Sequence, residues 1–219
     1  MGRPDVLDEL AAYLLEHDPG HPLRVGIDGW CGSGKTTFRR ALADRLPAGA
    51  RPIVELDSDG FHHPRAIRYR QGRGSARGYY DDAYDFTALE RLVLRPLGPD
   101  GDRRIAVKVH DLATDRLERV EASVDPNAVV LFDCTFIQRG PLRDRWDQVI
   151  YLAIEDTVAR ARGIARDANA LGGSAAAAEA YDTRYLAACR IYRDEEHPET
   201  RASILIGNTD PHRPRRLRH

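Results

Sequence analysis

The chain has 219 residues, 31% charged and 42% hydrophobic with a formal net charge of −1, so no overall field draws it toward nucleic acid or an anionic membrane. No apolar run approaches the ~20 residues of a membrane helix. Asp5, Asp8 and Glu9 interrupt what would be a leader's apolar core, and Cys31, Cys134 and Cys189 lack zinc-site spacing. A soluble, cytoplasmic protein is expected.

In chain order, residues 5–16 carry Leu7, Leu10, Ala11, Leu14 and Leu15 on one helical face. Pro19, Gly20 and Pro22 break that helix, and residues 23–28 read as a buried strand running into a glycine cluster. A helix is predicted over 35–46 and a strand over 53–56. Residues 58–85 show little periodicity and read as one long loop, which in a compact domain is usually functional. A helix follows over 86–94, then two strands, 105–109 and 117–124, joined by a charged turn. Residues 128–132 form a short apolar strand ending at Asp133. A helical turn at 143–145, a strand at 149–153, helices at 155–166 and 175–193 and a strand at 203–206 complete the pattern. Strands alternating with helices predict a three-layer α/β fold with a mostly parallel sheet. Residues 1–210 are expected to be one domain. The basic tail from Pro211 is expected to be a mobile end rather than a binding arm.

The strongest motif is Gly29-Trp30-Cys31-Gly32-Ser33-Gly34-Lys35-Thr36, which fills the G-x-x-x-x-G-K-[ST] pattern. Its glycines allow backbone angles that aim successive N–H groups inward as an anion nest. The helix that starts there adds its positive dipole end. Lys35 can bridge the β- and γ-phosphates of a nucleotide and Thr36 can take a place on Mg²⁺. Gly29, Gly32, Ser33, Gly34, Lys35, Thr36 and Thr37 are the expected phosphate-binding residues. Of 33 Lys and Arg, only Lys35 and Lys108 are lysine. A lysine surviving such an arginine bias marks a site that wants a compact ammonium.

Past the second strand comes Glu55-Leu56-Asp57-Ser58-Asp59-Gly60-Phe61-His62-His63-Pro64. With the cradle upstream, the sequence resembles the uridine kinase, phosphoribulokinase and pantothenate kinase group of P-loop kinases. Uridine kinases have Asp-Ser-Phe-Tyr here, and pantothenate kinases Asp-Gly-Phe. The resemblance implies a P-loop NTPase fold with a small lid. It also implies ATP with Mg²⁺, and phosphoryl transfer to a hydroxyl, first of all that of a nucleoside. The family's aspartate corresponds to Asp59, implied as base and helper of Mg²⁺. Independently, a hydroxyl attacking phosphorus must shed a proton, which a nearby carboxylate can accept. Asp57 and Asp59 could also simply cap a turn.

The likeness extends along the chain. Asp82-Ala83-Tyr84-Asp85 is similar to the stretch that approaches the sugar in uridine kinases, so Asp82 or Asp85 could grip a polyol. Asp85 could equally be a helix N-cap. Residues 129–133, Val-Val-Leu-Phe-Asp, look like a Walker B strand, implying Asp133 on Mg²⁺. Arg160, Arg162, Arg166 and Asp167 resemble the Arg-rich lid, and Arg162 and Arg166 fall on one helix face. They could neutralise charge on the transferring group, or face solvent. Gly163 stands where uridine kinases have an arginine, and Asn208 where the family often keeps an Asn near adenine. His110 replaces the tyrosine of the base-reading stretch, which marks His110 as an acceptor residue and points to an altered acceptor. The arginines and tyrosines of residues 69–80 could clamp an anionic acceptor or form a soluble loop. The competing class, a nucleotide-hydrolysing switch, lacks support, since Asn208-Thr209-Asp210 has no lysine of a guanine reader. The expected partner is a small-molecule acceptor, and homo-oligomerisation is left open.

Overall fold

The computed structural model describes residues 5–47 and 49–218. Helix α1 (Val6–Glu16) is capped by Asp5, whose side chain accepts from the Leu7 amide. Strand β1 (Leu23–Gly29) is buried throughout and enters the glycine loop, after which α2 (Lys35–Arg45) begins. Strand β2 (Ile53–Asp57) follows.

The stretch read as one long loop is instead broken into short helical pieces. A 3₁₀ turn covers Ser58–Phe61, then come α3 (Arg65–Arg68) and α4 (Ala76–Asp82). Each piece is too short to show a 3.6-residue apolar repeat, which is why periodicity misses them. Ser75 caps α4 by accepting from the Gly78 amide. Helix α5 (Phe86–Leu89) runs on into a π-turn, Glu90–Leu94.

Strands β3 (Arg104–Asp111) and β4 (Arg116–Ser123) pair as an antiparallel hairpin separate from the main sheet. Strand β5 (Val129–Asp133) and β6 (Gln148–Ala153) flank β1. Helix α6 (Asp156–Leu171) is followed by α7 (Ser174–Ala180), a π-turn over Tyr181–Tyr185, and α8 (Leu186–Glu196). The predicted single helix over 175–193 is thus interrupted in its middle by that π-turn. Helix α9 (Pro198–Arg201) and β7 (Ile204–Gly207) come next.

The main sheet has the order β2-β5-β1-β6-β7, all parallel, with a final strand β8 (Arg215–Arg218) antiparallel to β7. The tail, expected to be mobile, therefore pairs at a sheet edge. Its charged side chains hid the strand, since an exposed edge strand needs no apolar alternation.

Two apolar cores lie on the two faces. One packs Leu10 and Leu14 of α1 and Phe38 and Leu42 of α2 against Val25, Ile27 and Ile150. The other packs Phe132, Val130 and Tyr151 against Tyr80, Leu89 and Tyr192. This is the predicted three-layer α/β architecture. No described helix is long and apolar enough to cross a membrane.

Candidate active site

Parallel strands end together, so β1, β5 and β2 deliver the glycine loop, Asp133 and Asp57 to one edge of the sheet. A cleft of about 880 Å³ opens there, lined among others by Gly32, Lys35, Thr36, Asp59, Asp133 and Arg166.

Gly32 shows why the loop needs glycine. Its φ is +83°, and a Cβ built on it would sit 2.3 Å from the Ala159 carbonyl oxygen of α6. Below the loop, buried Asp28 braces it. Its carboxylate accepts from the Gly29 amide at 2.7 Å, from Gln138 Nε2 at 2.9 Å and from the Tyr192 hydroxyl at 2.5 Å. Burial raises the Asp28 pKa against the pull of those donors. Sequence reasoning missed this residue, although a polar side chain within the apolar run of β1 was a visible signal.

Lys35 curls over the loop, its ammonium donating to the carbonyls of Gly29 and Trp30 at 2.9 Å each. Phosphate oxygens would offer this ammonium stronger, charge-assisted bonds than the two carbonyls do. Thr36 donates its hydroxyl to Asp133 Oδ2 at 2.7 Å. The other oxygen, Asp133 Oδ1, is buried and pairs with Arg39 at 3.1 Å. Arg39 also reaches Glu55 at 3.2 Å, and so holds the end of β2 to the end of β5.

A hard oxygen set, the Thr36 hydroxyl and the Asp133 carboxylate, suits Mg²⁺. Among the described residues no cluster of three His, Cys, Asp or Glu could hold a metal alone. Such a site fits an ion that keeps water and nucleotide phosphates as most of its ligands.

Asp57 caps the 3₁₀ turn by accepting from the Asp59 amide at 3.0 Å, which turns the Asp59 carboxylate into the cleft, where its side chain is 74% exposed. Its pKa is raised, first because the cleft walls displace water and then through the charges of Asp57 and Asp133, with Arg166 acting the other way. His62 Nδ1 lies 4.0 Å from Asp59. Burial and then the neighbouring Arg68 lower the His62 pKa to about 3, so this imidazole is neutral at physiological pH.

The two lid arginines part company. Arg166 faces the cleft, paired with Asp167 at 2.8 and 2.9 Å. Arg162 instead donates to the carbonyls of Asn208 and Thr209 at 3.1 and 2.6 Å. It therefore sits at the end of β7 beside the loop, where Asn208 Nδ2 donates to the Ser33 carbonyl at 2.8 Å. Gly163 has a local reason too: a Cβ there would meet the Tyr181 ring at 2.0 Å. Tyr181 uses that space to donate to Asp167 at 2.7 Å and accept from Arg166 at 3.2 Å.

The three residues expected to hold the acceptor do not line the cleft. Asp82 is buried and bound by Arg70 and Gln71. Asp85 caps α5 by accepting from the Ala88 amide at 2.8 Å, as the alternative reading had it. His110 is buried with Nε2 3.2 Å from Asp115. The cleft is lined also by Arg65, Arg68, Tyr69, Arg73, Tyr79 and Arg184.

Residues 25–186 match the model of the phosphoribulokinase/uridine kinase family. The chain belongs to that family. A uridine kinase of Limosilactobacillus reuteri is 26% identical over 202 residues, covering 84% of this chain and 82% of the relative. Uridine-cytidine kinase B of Dictyostelium discoideum is 27% identical over 150 residues, covering 67% of this chain and 59% of the relative. A structure described as a possible uridine kinase from Bacillus stearothermophilus superimposes with a TM-score of 0.71 at 22% identity, covering 91% and 96% of the two chains. The D-glycerate 3-kinase structure from Cryptococcus neoformans gives 0.59 at 16%, covering 90% of each. These structural likenesses support the P-loop kinase fold. Family membership makes the chain a kinase of the uridine kinase/phosphoribulokinase type.

Proposed function

We propose that the protein transfers the γ-phosphoryl group of Mg-ATP to a hydroxyl of a small polyhydroxylated acceptor, with Asp59 as the base. The observation that carries this reading is the meeting of three elements in one cleft: the Lys35 ammonium over a glycine loop, the Thr36–Asp133 pair, and the unpaired Asp59 carboxylate. A protein that only held a nucleotide would need no exposed carboxylate at that point.

In this reading the loop amides and the start of α2 bind the triphosphate, and Lys35 moves from its two carbonyls onto the β- and γ-oxygens. Thr36 and Asp133 hold Mg²⁺, with Asp59 close enough to assist. The ion, when bound, neutralises charge on the phosphates. Asp59 orients the acceptor hydroxyl and takes its proton as the oxygen bonds to phosphorus. Its raised pKa makes it a better proton acceptor than an ordinary aspartate. Arg166, fixed in direction by Asp167 and Tyr181, is aimed at charge that develops on the moving group. Arg162, held by the Asn208 and Thr209 carbonyls, serves the rim where the nucleotide base would leave the loop.

The names of the curated relatives support a nucleoside acceptor. Against a uridine-type sugar grip stands the engagement of Asp82, Asp85 and His110 elsewhere. The test is ADP release by the full chain with Mg-ATP, alone and with a panel of nucleosides, polyols and polyol acids. The reading expects release to be slow alone and to rise manyfold with one acceptor class. Steady hydrolysis indifferent to every acceptor would instead indicate a nucleotide-hydrolysing switch.

A further inference from the structure

At the acceptor end of the cleft the Tyr69 ring collects three guanidinium groups. Arg68, Arg73 and Arg184 lie 5.1, 4.9 and 5.0 Å from its centroid. Arg184 also lies 5.0 Å from the Tyr79 ring and 5.3 Å from Tyr185. Arg68 and Arg184 are 6% and 9% exposed, a depth at which arginine is almost always paired with an acid.

These two are not properly paired. Nε of each is buried without a hydrogen-bond partner. The only acid near Arg68 among the described residues is Asp115, at a long 3.8 Å. That carboxylate already accepts from the Arg65 amide at 2.9 Å and lies 3.2 Å from His110. No described carboxylate forms an ion pair with Arg184, whose cationic face is met only by aromatic rings. The acids that do face the cleft are Asp59, Asp133 and Asp167, the last bound by Arg166 and Tyr181, and none of them forms an ion pair with Arg184 or Arg68. Like charges gathered in a half-buried site with donors left over form an incomplete arrangement, and an anion completes it.

We infer that Arg184 and Arg68 form an anion clamp, so that the acceptor is a small polyhydroxylated acid bearing a phosphate monoester or a carboxylate rather than an uncharged nucleoside. The π-turn at Tyr181–Tyr185 gives the clamp its aim, since the extra residue in that turn resets the helix face on which Arg184 falls. The planar fork of Arg suits oxyanions in a way that Lys does not. Tyr69 and Tyr79 keep the forks flat and desolvated. Arg73, exposed at the rim, adds attraction during approach. The charged end of the acceptor would then lie against Tyr69 while its hydroxyl reaches Asp59 across the cleft.

This inference rests on the kinase reading, and the experiment separates the two. The full chain is first saturated with Mg²⁺ and a non-hydrolysable ATP analogue, which fills the glycine loop, and inorganic phosphate is then titrated in by calorimetry. Phosphate binding by the wild type, weakened at least about thirtyfold in Arg184→Gln with analogue affinity unchanged, is the expected result. In turnover assays matched polyol phosphates, polyol carboxylates and neutral nucleosides distinguish the source of the anion. The acids are expected to be favoured, Arg184→Gln to raise their KM with little change in the KM for ATP, and Arg184→Lys to recover part of the loss. Analogue binding without phosphate binding overturns the clamp and leaves the kinase standing. Equal turnover of uridine by wild type and Arg184→Gln, with no acid preferred, also overturns it. A wild type that binds no analogue overturns the kinase reading and this inference together.

Discussion

The two ends of the cleft are built in different ways. In the proposed function the nucleotide end is the eight-residue motif from Gly29 to Thr36, which spans the end of β1, the five-residue turn 30–34 and the start of α2, plus the terminal acid of a neighbouring strand. Its donors are mostly backbone amides, so glycines at fixed spacing suffice, and a bound phosphate has the same shape in every relative. The end proposed to hold the acceptor draws on α3, the segment after it and a π-turn more than a hundred residues later. Its groups are side chains, free to change with the molecule to be phosphorylated. A phosphate can thus be held largely by backbone, whereas the rest of the cleft depends on side chains carried by short, irregular pieces.

The largest effect that would sharpen this contrast is at Lys35. Lys35→Ala is expected to weaken Mg-ATP binding and to lower kcat/KM by roughly 10³, since a clamp on the transferring group is lost. Equal ATP affinity in that variant, measured by calorimetry, would break the nucleotide half of the comparison. Next comes the metal. Asp133→Asn should raise the Mg²⁺ concentration for half-maximal activity by about tenfold or more, read from a magnesium titration at saturating ATP, and chelation should stop turnover.

The different construction also explains how much could be read beforehand. The glycine loop, Asp133 and the parallel sheet were legible because each is a local pattern: a fixed spacing, an acid at the end of an apolar run, an alternation of periods. Asp59 was singled out through the likeness of Asp59-Gly60-Phe61 to the family's motif downstream of the loop, and its role as base stands as part of the proposed function. Asp82 and Asp85 looked like sugar ligands, but a local arginine and a helix terminus claim them. Nothing in the chain's order signals that Arg70, twelve residues earlier, folds back onto Asp82. Arg184 sits in an alanine-rich stretch whose periodicity predicts a plain helix, and only the π-turn turns it toward the cleft. Strand β8 escaped notice because edge strands with arginine side chains carry no apolar signature.

The smallest effect concerns His62, which lies between the two ends. Its folded pKa of about 3 is below the ordinary 6.5, so between these values the unfolded chain holds the extra proton. Stability therefore rises with pH up to about 6.5 and falls as pH drops below it, by at most about 1.4 kcal/mol per pH unit from this group. His62→Gln is expected to flatten that slope in denaturant titrations between pH 4 and 6; an unchanged slope would show that the ring is not shielded as described. Because His62 is neutral there, it contributes nothing to an acid limb in kcat/KM, and the part of that limb lost in Asp59→Asn is the part assigned to Asp59. Its pKa is raised by burial and by the charges of Asp57 and Asp133, so that limb lies above that of an unperturbed aspartate, with activity rising as Asp59 ionises.

The division of labour between the two ends is tested most directly in the Asp59→Asn variant, by measuring ATP-analogue affinity and acceptor-dependent ADP formation on the same preparation. The expected result is affinity within about twofold of the wild type and turnover lower by ~10² or more. Unchanged turnover, with the carboxylate gone, would contradict the assignment of the proton to Asp59 and with it the account of how the cleft works.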